Sequence, residues 1–130
     1  MAALDTNIVL RLMLDDDLAQ GRLALRLVES EACTVAPSVL MECEWVLRSS
    51  IELDSATILA SFIELIDIDN IAVTEPALVA TVLDAYSQGL DFADALHAAQ
   101  CAQEESLYTF DKTFAKRAAK MGLSQVRLLK

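Results

Sequence analysis

Four carboxylates carry the chemistry this sequence offers. Asp5 stands where the apolar stretch Ala2-Ala3-Leu4 gives way to a helical pattern, and Glu42 follows Thr34-Val35-Ala36-Pro37. Asp94 follows Gln88-Gly89-Leu90, and Asp111 follows Leu107-Tyr108-Thr109-Phe110. If Asp5 ends the central strand of a parallel sheet, the four acids fall together outside the carboxyl ends of the strands, where open α/β sheets bind ligands. The expectation is that Asp5, Glu42, Asp94 and Asp111 converge on a divalent metal. Taken singly, each acid in a chain with 20 of them reads as a helix cap or a solvated charge, and only their shared placement points to a site.

The elements that must position these acids are legible in the hydrophobic spacing. Asn7, Ile8, Val9, Leu12 and Met13 give a short helical face, ended by Asp15-Asp16-Asp17, a solvated turn that caps a helix from Asp17 to about Ser30. In that helix Gly21, Ala24, Leu27 and Val28 form the inner side. Cys33-Thr34-Val35-Ala36 reads as a buried strand stopped by Pro37, with Ser38 capping a helix to about Ser49. On that helix Glu42 shares a side with Ser38, Val39, Trp45 and Val46. Glu44 stands four residues before Arg48, the favourable order for a surface ion pair. Glu42 is therefore the site residue and Glu44 the surface charge.

Asp54-Ser55 and Glu75-Pro76 open two packing helices, and Ile71-Ala72-Val73 between them is either a strand or an extended link. Asp91 reads as the N-cap of a helix with Ala95, Ala98, Ala99 and Ala102 at helical spacing, and Asp94 as its third residue. Asp111 begins a helix whose inner face is Phe114, Ala115, Ala118 and Ala119 and whose outer face carries Lys112, Lys116 and Lys120. Val126-Arg127-Leu128-Leu129 is a last strand. Alternating strands and helices predict an α/β fold, a central parallel sheet of four or five strands flanked by helices on both faces.

The chain's 130 residues suit a single domain, 1–130, with one core. A hydrophobic share of 55% with 5% aromatic makes that core aliphatic, and the mean hydropathy is +0.39. The longest uncharged run, Ala32 to Met41, is far short of the roughly 20 residues a bilayer requires, so no membrane span is expected. The first residues lack the basic flank of a signal peptide. The apolar excess reads instead as cover for a partner chain. Cys33, Cys43 and Cys101 share no CxxC spacing and read as small buried hydrophobes in a reduced cytoplasm.

A net charge of -10 weighs against a nucleic-acid partner. Its distribution softens the objection. Residues 106–130 hold Lys112, Lys116, Arg117, Lys120, Arg127 and Lys130 against Asp111 alone.

Leu4-Asp5-Thr6-Asn7, Glu42 leading into Trp45-Val46-Leu47-Arg48, Asp94-Ala95-Leu96-His97-Ala98-Ala99 and Thr109-Phe110-Asp111-Lys112-Thr113-Phe114 together resemble the PIN-domain family, in family order and at family spacing. The nearest likeness is to the VapC-type toxins of prokaryotic toxin–antitoxin pairs. One departure is Cys43, which follows Glu42 where the family has a larger aliphatic residue.

The resemblance implies a PIN-like fold and a Mg²⁺- or Mn²⁺-dependent endoribonuclease whose metal-binding acids are Asp5, Glu42, Asp94 and Asp111. It also implies a homodimer, a cognate antitoxin, and RNA cleavage leaving a 5′-phosphate and a 3′-hydroxyl. Asp5 and Asp94 would anchor the principal ion, and Glu42 and Asp111 its waters or a second ion, with Thr6, Asn7 and Thr109 as hydrogen-bonding support.

His97 reads as a packing residue outside catalysis. Trp45 reads as core or dimer surface and not as a base-stacking platform, and the lysine stripe as a solvated face that would also steer phosphate. Two rivals remain at this point. A phosphoacceptor receiver domain also places acids at strand ends, yet Leu4-Asp5-Thr6 lacks its doubled acid. The other rival is a catalytically silent PIN-like binding module.

Overall fold

The computed structural model describes all 130 residues, Met1–Lys130. Five short strands are joined by one or two helices each, seven in all, in an α/β arrangement, and every strand pairing is parallel. The backbone divides into two compact units, Met1–Pro76 and Ala77–Lys130.

The first unit holds β1 (Ala2–Ala3), α1 (Thr6–Met13), α2 (Leu18–Ser30), β2 (Cys33–Val35), α3 (Pro37–Ser49), α4 (Ser55–Ile66) and β3 (Ile71–Val73). Its ladder runs in the order β1-β2-β3, with Cys33 opposite both Ala2 and Ile71. The stretch Ile71-Ala72-Val73, ambiguous in sequence, is thus a strand. Its partner decides it: the Ile71 side chain is buried and the run pairs residue for residue with β2.

Within this three-strand ladder β1 lies at one end and β2 in the middle. Two small alanines offer little apolar surface to bury, whereas Cys33 and Val35 of β2 are fully enclosed. Around them sit Val9, Leu40, Cys43, Leu47, Ile58 and Phe62, each inaccessible to solvent.

Helix starts follow the acids. Asp5, Asp17 and Asp54 cap α1, α2 and α4 by accepting from the backbone N–H of Ile8 (3.1 Å), Gln20 (3.0 Å) and Thr57 (2.8 Å). Helix α3 is the exception. It begins at Pro37, with Ala36 preceding it and no side-chain cap, so Ser38 is not the cap the sequence suggested. Proline at the first helical position already has the required φ, and the amide it lacks would have been unpaired there.

The second unit holds α5 (Pro76–Ser87), α6 (Phe92–Ala99), β4 (Leu107–Thr109), α7 (Lys112–Lys120) and β5 (Val126–Leu128). β4 and β5 form a two-stranded ladder in which Tyr108 pairs with Arg127. Val79, Val82, Phe92, Ala98, Phe114 and Ala118 are buried, and the Phe92 ring meets Tyr86 edge-on at 5.4 Å between centroids. Helix α6 stops at Ala99, so Ala102 lies beyond it. No helix in the chain is long and apolar enough to cross a membrane.

Candidate functional site

Each unit brings two of the four acids into one neighbourhood. In the first, Asp5 and Glu42 line a cleft of about 520 Å³ together with Thr6, Asn7, Val39 and Trp45. Asp5 reaches it because it ends the turn between β1 and α1, and Glu42 because it stands on α3 one turn beyond Ser38 and Val39. Both carboxylates are exposed and neither enters a salt bridge. Asp5 commits one oxygen, Oδ1, to the Ile8 amide, which leaves the other for a ligand.

Beneath this pair lies Cys43. It is fully buried, and its Sγ donates to the Thr6 carbonyl at 3.9 Å. Burial, followed by the nearby Glu42 and Asp5 carboxylates, pushes the thiol up to about 12. The cysteine that departs from the family pattern is therefore an inert packing residue, and it ties the Glu42 helix to the backbone beside Asp5.

Glu44 corrects the sequence reading in one respect. Its ion pair with Arg48 forms as expected, with Nε donating to Oε2 at 2.9 Å, but the glutamate is only 3% exposed. Leu40 and Leu47, one turn either side of it on α3, are fully buried. The half-exposed Arg48 side chain accompanies the carboxylate in from the rim.

In the second unit the local pair is Asp94 and Asp111. Asp91 caps α6 through the Asp94 amide at 3.1 Å, so Asp94 is the third helical residue, as its spacing predicted. Asp111 caps α7 through the Phe114 amide at 3.0 Å, and its own N–H donates to the Thr109 hydroxyl at 3.0 Å.

Gly89, at φ +100, supplies the left-handed turn that sends the chain from α5 into α6. Arg117 of α7 then donates to the Gly89 carbonyl at 3.0 Å. That bond holds the start of α6 beside α7 and brings the two acids within electrostatic reach.

Asp94 records the crowding. Its pKa is raised, first by burial and then by the Asp91 and Asp111 carboxylates, with His97 opposing. His97 is exposed, not packed, and acts on Asp94 from one turn along α6. Sequence reasoning missed that role, although the i,i+3 spacing signals it. Asp91 was recognised only as a cap, yet it adds to the negative charge at Asp94.

Within neither unit do three or more His, Cys, Asp or Glu side chains stand together as a metal cage. Each unit offers a pair. The donor chemistry of both pairs suits Mg²⁺ or Mn²⁺, since all four acids present hard oxygens and both capping aspartates keep one oxygen uncommitted. A cation would also relieve the like-charge crowding at Asp94.

The PIN domain family model matches residues 2–120. The chain belongs to the PIN-domain family, whose members are generally nucleases that bind RNA and typically use divalent metals. No curated protein and no solved structure matches it. Membership leaves the receiver-domain alternative without support.

Proposed function

We propose that this chain is a Mg²⁺- or Mn²⁺-dependent endoribonuclease, the toxin of a type II toxin–antitoxin pair, with Asp5, Glu42, Asp94 and Asp111 acting on one substrate phosphate. The observation that carries this reading is that Asp5 and Glu42, far apart in sequence, face one cleft as exposed carboxylates with no cationic side chain paired to either. The family match supports it, and because the match runs across both units, residues 1–130 are read as one PIN domain.

Asp5 and Asp94 would hold the principal ion, and Glu42 and Asp111 its waters or a second ion. Bound there, the cation supplies charge neutralisation at the phosphoryl oxygens and an acidified water. Thr109 fixes Asp111 through its hydroxyl. Thr6 and Asn7, on the wall of the cleft, donate hydrogen bonds to the phosphate. Cys43 keeps the floor dry and rigid, and the products carry a 5′-phosphate and a 3′-hydroxyl. The partners are a second copy of the chain and a cognate antitoxin, and the reaction takes place in the cytoplasm.

Purified chain should cut RNA only when Mg²⁺ or Mn²⁺ is supplied, and Asp94→Asn should lower the rate roughly a hundredfold or more, the scale of several kcal/mol of charge stabilisation. Equal cleavage by wild type and Asp94→Asn would overturn the assignment. RNA bound but never cut would favour the silent binding module. Growth arrest on expression, rescued by the product of an adjacent small reading frame, tests the toxin assignment.

A further inference from the structure

Trp45 is the one tryptophan of the chain and is 58% exposed, so it is not a core residue. It lies three residues beyond Glu42 on α3, on the same side of the helix, and lines the cleft that holds Asp5 and Glu42. An indole left in water forgoes the free energy its burial would release. A solvated aromatic face in a cleft with two carboxylates calls for an occupant that suits both.

A protein surface seated on the indole would remove Asp5 and Glu42 from water as well, and their desolvation opposes such a contact. A nucleotide meets both requirements. Its base stacks on the indole, and its phosphate, arriving with a cation, neutralises the acids.

We propose that Trp45 is a stacking platform for an unpaired base of the strand being cut, which sets the adjoining phosphate beside Asp5 and Glu42. The stacked base must be unpaired, because bases stacked inside a duplex have no free face to offer. The inference rests on the nuclease reading above.

A lone tryptophan makes the test direct, since indole emission reports one position. The full chain carrying Asp94→Asn is titrated in Mg²⁺ with a mixed-sequence single-stranded RNA oligonucleotide and, separately, with the same strand annealed to its complement. The single strand should quench the emission saturably, with the midpoint that anisotropy of a labelled oligonucleotide gives, and the duplex should not.

In the cleaving protein, Trp45→Ala should raise KM about tenfold, within the range that stacking of one base implies, with kcat within about twofold. Trp45→Phe, which keeps a ring, should recover most of that loss. Binding by anisotropy without any change in emission overturns the platform, as does an unchanged KM in Trp45→Ala. Emission that responds to protein concentration alone marks a contact between two copies and overturns it too. Quenching by a strand that wild type never cuts sinks the nuclease assignment and leaves the platform standing, whereas cleavage without quenching sinks the platform alone. Absence of any binding overturns both.

Discussion

Two glutamates on one helix, two residues apart, have opposite fates. Glu42 faces the cleft and Glu44 is buried against Arg48. Periodicity put Glu42 on the side of Val39 and Trp45, and Glu44 in an ion pair with Arg48, as found. It did not foresee the burial of Glu44, because an i,i+4 Glu–Arg spacing is identical in a buried and an exposed pair, and only the neighbours Leu40 and Leu47 decide. The consequence is energetic. Arg48→Ala, which deprives the buried carboxylate of this partner, should lower unfolding stability by roughly 1.5–3 kcal/mol, the worth of a hydrogen bond to a charged group. A urea midpoint displaced by less than about 0.5 kcal/mol would return the pair to the class of surface ion pairs.

At the scale of elements, the aspartates that start helices were the most legible feature. Asp17 and Asp91 were read from the sequence as caps and Asp54 as part of a helix opening, and each accepts from the amide three residues on. Ser38 failed as a cap because a proline stands before it, and β3 was undecidable because three apolar residues carry no period of their own.

Helix α7 shows both sides of this. Its inner residues Phe114 and Ala118 are buried as expected, whereas Ala119 is exposed. Lys112, Lys116 and Lys120 are exposed on it, and none is in a salt bridge. Spaced about 6 Å apart along the axis, they form a rail leading away from Asp111. Replacing all three with glutamine should weaken RNA binding and reduce the slope of log K against log salt by about 2, at ~0.7 per phosphate on a single strand. An unaltered slope would make the stripe a solvated face and nothing more.

For the molecule as a whole, part of the acidity that argued against nucleic acid sits in the two carboxylate pairs, Asp5 with Glu42 and Asp94 with Asp111. Carboxylates that repel one another in the metal-free protein are a standing cost to the fold, and a cation bound only by the folded state offsets it by mass action. Melting temperature should therefore rise with added Mg²⁺ or Mn²⁺, by the equivalent of about 2.7 kcal/mol at a hundred times the dissociation constant. A flat titration would count against the site.

The same crowding sets a pH dependence. The folded-state pKa of Asp94 is raised, by burial first and by Asp91 and Asp111 next. The folded chain thus binds this proton more tightly than the unfolded one, and stability falls as pH climbs from the ordinary carboxylate value through the raised one. In chelator, Asp94→Asn should melt above wild type at neutral pH, with the difference closing in acid. A difference constant across that range would show that charge at Asp94 is not its source.

The α/β class was legible because every short apolar strand is followed by a helical pattern before the next strand. The division of the strands into ladders of three and two was not, since ladder partners depend on contacts distant in sequence. Trp45 was opaque for the same reason: its spacing gives its side of α3 but not what covers that side.

Asp5 and Asp111 each serve two masters, closing a helix with one oxygen and offering the other outward. Asparagine closes helices about as well as aspartate. Exchanging either for asparagine would therefore leave architecture untouched while abolishing the charge. A protein altered in this way would pass any quality control that inspects folding alone.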